Sequence, residues 1–84
     1  MPATPDYIRI ADEIMAEVRS GQRKPGEKLP TIAELCDAYG VSASTVNLAN
    51  VRLEALGVID RRQGKGIFVT DPDTWLRKPD HPRR

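Results

Sequence analysis

Cysteine and histidine are almost missing from this chain of 84 residues: Cys36 and His81 are the only ones. A single cysteine excludes a disulfide framework and a cysteine-rich metal site within one chain. A Cys–His nucleophilic pair exists only formally, since nothing brings Cys36 to His81, and a lone cysteine in an apolar helical stripe reads as core. No carboxylate pair, metal cluster or activated nucleophile with an ordering partner is visible; Glu13 and Glu17, four apart, read as one solvated helix face. No catalytic residue, metal or cofactor is expected. Apolar runs fall short of the roughly 18 residues a membrane span requires, and Met1–Tyr7 lacks the apolar centre of a signal peptide. A cytoplasmic protein without membrane contact is expected.

Neither sign of charge dominates: 13 Lys and Arg face 12 Asp and Glu, a net charge of +1. The distribution says more than the sum. Residues 1–40 hold five basic against seven acidic side chains, a balance of −2, and residues 41–84 hold eight against five, a balance of +3. A positive field confined to the second half is where a phosphate backbone would be met. With 39% hydrophobic and 30% charged residues the composition is that of an ordinary globular domain, and a chain this short has room for one core.

Thr4-Pro5-Asp6 predicts a helix start, with Thr4 as cap and Pro5 in the first helical position. Ile8, Ala11, Met15 and Val18, joined by Tyr7 and Ile14, recur at helical spacing up to Ser20, and Gly21 closes the helix. Lys24-Pro25-Gly26 is a turn signal, and Lys28-Leu29 is extended because Pro30 disfavours helix before it. Thr31 with Glu34 forms a capping box that opens a second helix buried through Ile32, Leu35, Cys36 and Tyr39 and ended by Gly40. One residue later Ser42 caps a third helix, through Thr45, Val46, Ala49, Leu53 and Leu56, stopped by Gly57. Helices joined so tightly cross steeply, as in a helix-turn-helix. The period then becomes extended: residues 58–62, a turn Gln63-Gly64-Lys65-Gly66, and residues 67–70 predict a β-hairpin. Residues 1–70 form the expected domain. Residues 71–84, with Pro72, Pro79 and Pro82, form a flexible basic tail whose sticky point is Trp75-Leu76.

The expected fold is mainly α with a small β-hairpin, a three-helix winged helix-turn-helix. Its third helix suits the major groove of double-stranded DNA while the hairpin tip reaches adjacent backbone or minor groove. Ser42, Ser44 and Thr45 are placed to donate to phosphates beside a helix N-terminus. Asn47 suits bidentate pairing with adenine, and Ala43 or Leu48 suits contact with a thymine methyl. In the hairpin, Arg61, Arg62, Gln63 and Lys65 surround Gly64 and Gly66, so cations sit where bare backbone can approach a duplex. A nucleotide phosphate loop is rejected, since Gly64-Lys65-Gly66 leads from strand to strand and not into a helix.

From Ile8 to Val69 the chain resembles the DNA-binding domain of the GntR family of bacterial regulators, carried by KPGEKLPT, ELCDAYGVSASTV, LEALGVI and RRQGKGIFV in order and spacing. The resemblance implies a domain that binds operator DNA as a two-fold dimer, with the wing tip in the minor groove, and adds Thr31 at the start of the second helix to the contact set. Three positions depart from it. Ala33, Ala43 and Asn47 stand where the family commonly has arginine, which implies weaker binding or a less G-rich operator. Asn50 stands where a core leucine is usual, so it finds partners, marks a rotated helix or polar interface, or costs about 1–3 kcal/mol.

The chain ends about fifteen residues past Val69, so no small-molecule effector pocket is expected. A homodimer, weak in solution or formed on DNA, would use the winged domain itself, through the first helix or Trp75-Leu76. The leading expectation is a nucleoid-associated, sequence-specific repressor on a short inverted repeat. The rivals are an accessory or architectural factor of a mobile element and a winged helix turned protein-interaction module.

Overall fold

The computed structural model describes residues 4–75. Three helices, α1 (Asp6–Ser20), α2 (Ile32–Tyr39) and α3 (Ala43–Ala55), precede an antiparallel hairpin of β1 (Ile59–Arg62) and β2 (Gly66–Val69) and a short 3-10 turn at Pro72–Thr74. This is the winged helix-turn-helix that the sequence predicts. Leu76, Pro79, His81 and Pro82 lie outside the described residues.

α1 starts one residue later than expected. Pro5, not Thr4, stands at the cap with φ −57° and ψ 147°, and its side chain has nothing to donate or accept. Its carbonyl receives the N–H groups of Ile8 and Arg9, both at 3.1 Å. The buried stripe is Ile10, Ala11, Ile14 and Val18; Ile8 and Met15, expected at its centre, are half-buried at its margin. α2 opens as predicted: Thr31 Oγ1 accepts from the Glu34 N–H at 3.2 Å, and Glu34 Oε1 accepts from the Thr31 N–H at 2.8 Å. It closes at Gly40, whose φ of 67° is the left-handed region that glycine enters most easily. Leu35 is its one fully buried residue, with Ile32, Cys36 and Tyr39 packed partly buried against the core.

Ser42 caps α3 by accepting the Thr45 N–H. α3 lies across α1 and α2, and Val46, Ala49, Asn50 and Leu53 face inward. With Ile10, Ile14, Leu29, Leu35, Val58, Ile59 and Val69 these make the core, each large aliphatic contributing about 1.5–3 kcal/mol. Asn50 is the exception. It is 1% exposed, and among the described residues neither its Oδ1 nor its Nδ2 has a hydrogen-bond partner. The helix is not rotated to bring it out.

The hairpin register runs from Ile59 opposite Val69 to Arg62 opposite Gly66. Gly66, expected in the turn, is thus the first paired residue of β2, at φ 123°. The other edge of β2 is also occupied. The extended piece before α2 lies along it: Leu29 donates to the Ile67 carbonyl at 2.7 Å, Val69 donates to that of Glu27 at 2.8 Å, and Gly26 donates to that of Val69 at 2.7 Å.

The packed body also runs past Thr70. Asp71 caps the 3-10 turn through its side chain, and Trp75, expected at the sticky point of a flexible tail, is 6% exposed in the core. Its indole Nε1 donates to Thr70 Oγ1 at 2.8 Å, and the Arg19 guanidinium stacks over its ring at 5.1 Å. Thr70 Oγ1 in turn donates to the Gly57 carbonyl. A buried tryptophan whose N–H is satisfied tolerates the apolar interior.

Candidate nucleic-acid interface

The surface of α3 opposite the core is uncovered. Ser42, Ala43, Ser44, Asn47 and Leu48 are exposed and Thr45 is half-buried. Their arrangement follows from the cap: Ser42 Oγ, accepting the Thr45 N–H, also lies 3.1 Å from Ser44 Oγ and 3.2 Å from Thr45 Oγ1. Three hydroxyls therefore cluster at the end of α3 where the first backbone N–H groups have no intrahelical acceptor, a donor-rich and electropositive spot. Asn47 stands one turn further along.

The wing sits beside this surface. Arg61 Nη2 donates to Glu54 Oε1 of α3 at 3.2 Å, bridging hairpin and helix. Because strand neighbours point to opposite faces, Arg62 leaves the other side of the ribbon, where its Nε bonds Asp60 Oδ2 at 3.1 Å and its guanidinium lies 4.9 Å from the centre of the Phe68 ring. Gln63, Gly64 and Lys65 form the exposed tip between the strands. Both ion pairs are about half exposed. Such pairs contribute only about 0–1 kcal/mol, so either arginine exchanges its carboxylate for a phosphate at small cost.

Thr31 is exposed at the start of α2, but its hydroxyl is already engaged in the capping box. Ala33, Ala43 and Asn47 are all exposed, so the three positions that the resemblance assigns to arginine face outward here with short side chains.

Two residues of this surface escaped the sequence reading. Lys28 pairs with Phe68 on the edge of β2 that faces away from β1, and its stem crosses Gly66 so closely that its Cε lies 2.6 Å from where a Cβ on that glycine would stand. A fourth cation thus joins the wing. Only its extended backbone was legible, because the strand it meets lies far along the chain. Val51 is the other: it is 59% exposed, three residues beyond Leu48 at 52%. Helical spacing from Leu48 was the available signal.

The expectation of no effector pocket rested on the short stretch of chain beyond the wing. What the described residues do contain is an open groove of about 890 Å³ between α1 and α2, bordered by Glu13, Glu17, Glu27, Glu34, Arg23 and Tyr39. Burial, then the nearby Glu13 and Glu17 carboxylates, push the Tyr39 phenol above its ordinary value of 10.0, against the pull of Arg23. Arg23 is itself held by Glu17 at 2.6 Å. Among the described residues no group of three or more His, Cys, Asp or Glu side chains could hold a metal ion, and no helix is long and apolar enough to cross a membrane.

Comparison with known proteins identifies the family. An uncharacterized HTH-type transcriptional regulator of Bacillus subtilis, YurK, is 43% identical over 70 residues, covering 83% of this chain and 29% of its own length. The arabinose metabolism transcriptional repressor of Geobacillus stearothermophilus is 40% identical over 68 residues, covering 81% of this chain and 19% of its own. The chain therefore spans less than a third of these two curated relatives. Among solved structures, the AraR DNA-binding domain in complex with operator ORR3 superposes with a TM-score of 0.77 at 33% identity, covering 82% of this chain and 83% of that one. The sequence pattern of the gntR family of bacterial regulatory proteins matches residues 6–69, and with that extent of agreement in sequence and fold the chain belongs to this family.

Proposed function

We propose that this DNA-binding domain represses transcription by occupying a short inverted-repeat operator as a two-fold pair assembled in solution or on the DNA. The N-terminal turns of α3 enter the major groove, with Asn47 on adenine and the Ser42, Ser44 and Thr45 hydroxyls on phosphates. The wing tip, Gln63 to Gly66, meets the neighbouring backbone or minor groove, with Arg61, Arg62, Lys65 and Lys28 as its cations. The work is binding, carried out at the nucleoid, and needs neither metal nor cofactor. One observation carries the reading: the basic ribbon lies against the flank of the uncovered helix, close enough for Arg61 to reach Glu54 at 3.2 Å, so both elements can address one duplex together. The operator-bound relative supports it.

The test is binding to genomic fragments across a salt series. Replacing Arg61, Arg62 and Lys65 with alanine is expected to reduce the slope of log affinity against log salt by about three, near 0.9 per lost phosphate contact. Equal affinity for every sequence, or no affinity for any, would remove the proposal. A slope unchanged by the triple substitution would remove the wing from it.

A further inference from the structure

We infer that Leu48 and Val51 form an apolar strip on the outer face of α3 that reads thymine C5-methyl groups, making A·T pairs the preferred content of the operator half-site. The inference rests on the DNA-binding reading above and adds the base chemistry to it.

Leu48 and Val51 are the large hydrophobic side chains left exposed among the described residues, at 52% and 59%. A single exposed leucine needs no explanation. These two are three residues apart on one helix, hence neighbours on its surface, and lie on the side away from Val46, Ala49 and Leu53. They also adjoin Ser44 and Asn47 on that side, so the strip continues the polar surface already assigned to the major groove.

What they face there is limited by the chemistry of base edges. The thymine methyl is the one apolar group that the major groove presents; guanine offers acceptors, cytosine and adenine an amino donor. An aliphatic side chain against guanine would strip water from two acceptors without replacing it. The bidentate fork that selects guanine is absent from the turns that would carry it, since Ala43 and Asn47 stand there and Arg52 is the only cation in α3. The outer face is thus equipped for methyl groups, with Asn47 beside it to take adenine. Three helical residues advance about 4.5 Å, the same order as the roughly 3.4 Å between successive bases on a strand, so with α3 lying along the groove the two side chains would reach neighbouring base pairs. The Lys28, Arg61, Arg62 and Lys65 cations alongside complement phosphates, which makes DNA the occupant and not a second copy of the chain.

The experiment selects duplexes from a randomised pool with the whole chain, then resynthesises the winner with deoxyuridine replacing thymidine one position at a time, which removes only the methyl. One or two thymines per half-site are expected to lose about fourfold in affinity as uracil, the size of one buried methylene-sized group. That sensitivity is expected to vanish at one of these positions in Leu48→Ala and at the other in Val51→Ala, with helical content unchanged by circular dichroism. Full salt-dependent binding that is indifferent to uracil everywhere, or uracil sensitivity that persists in both variants, overturns the strip while leaving the DNA-binding proposal standing. Failure to enrich any duplex overturns that proposal and the strip with it. A DNA-free dimer that either alanine variant dissociates in sedimentation would show a second copy on the strip, and also overturns it.

Discussion

α1 and α3 pack against each other, yet they obey opposite rules. Every fully buried residue of α1 is apolar, whereas α3 turns an amide inward at Asn50 and two aliphatic side chains outward at Leu48 and Val51. α1 has only the core to satisfy, and the ordinary separation of polar from apolar suffices for it. In the proposed function α3 also meets DNA, and an outer face composed for that partner accounts for the departure from a clean pattern. The amide on the inner face, without a hydrogen-bond partner among the described residues, has no such explanation.

Substitutions can break or sharpen this contrast. The largest effect is expected in the helix that follows the rule: Ile14→Ala removes a fully buried side chain and should lower the unfolding free energy by about 2–5 kcal/mol in chemical denaturation. A loss that size is a large part of the roughly 5–15 kcal/mol available to a domain. Next, and opposite in sign, Asn50→Leu should raise stability by about 1–3 kcal/mol by removing two unsatisfied polar atoms. The melting temperature followed by circular dichroism would rise by about 4–8 °C for each kcal/mol. A lower melting temperature would mean that the amide is satisfied after all and that the inner faces of the two helices are alike. The smallest effect belongs to the outer face, where Leu48→Ala and Val51→Ala should each change stability by no more than about 0.5 kcal/mol. Losses above 1 kcal/mol would place these side chains in the fold and not on its reading surface.

What was legible in the sequence follows the range of the interaction involved. Thr31 with Glu34, Ser42 with Thr45, and Gly40 act within a few residues of themselves, so the helix-turn-helix and its exposed N-terminal turns emerged from spacing alone. Pro5 takes the place of the expected cap: its φ of −57° suits either helix or extended backbone, its ψ of 147° is extended, and helical geometry begins at Asp6. The hairpin tip was displaced by one residue because Gly66, free of a Cβ, pairs with Arg62 at a positive φ instead of turning. Contacts between distant segments were not visible: Lys28 against Phe68 and Arg19 against Trp75 depend on how the whole chain closes. The candidate site inherits the same division. Its α3 and wing-tip residues were found by local pattern, while Lys28 joins through pairing across the sheet. Val51 was hidden differently, since an exposed valine has no meaning until the inward faces of its neighbours are known.

Trp75 is the chain's single tryptophan, and it lies inside the core beside Arg19. The domain therefore contains its own optical gauge. Its fluorescence follows the seal between the last described turn and the first helix, so a red-shifted emission that precedes the loss of helical signal on heating would show the molecule coming apart from its C-terminal edge first.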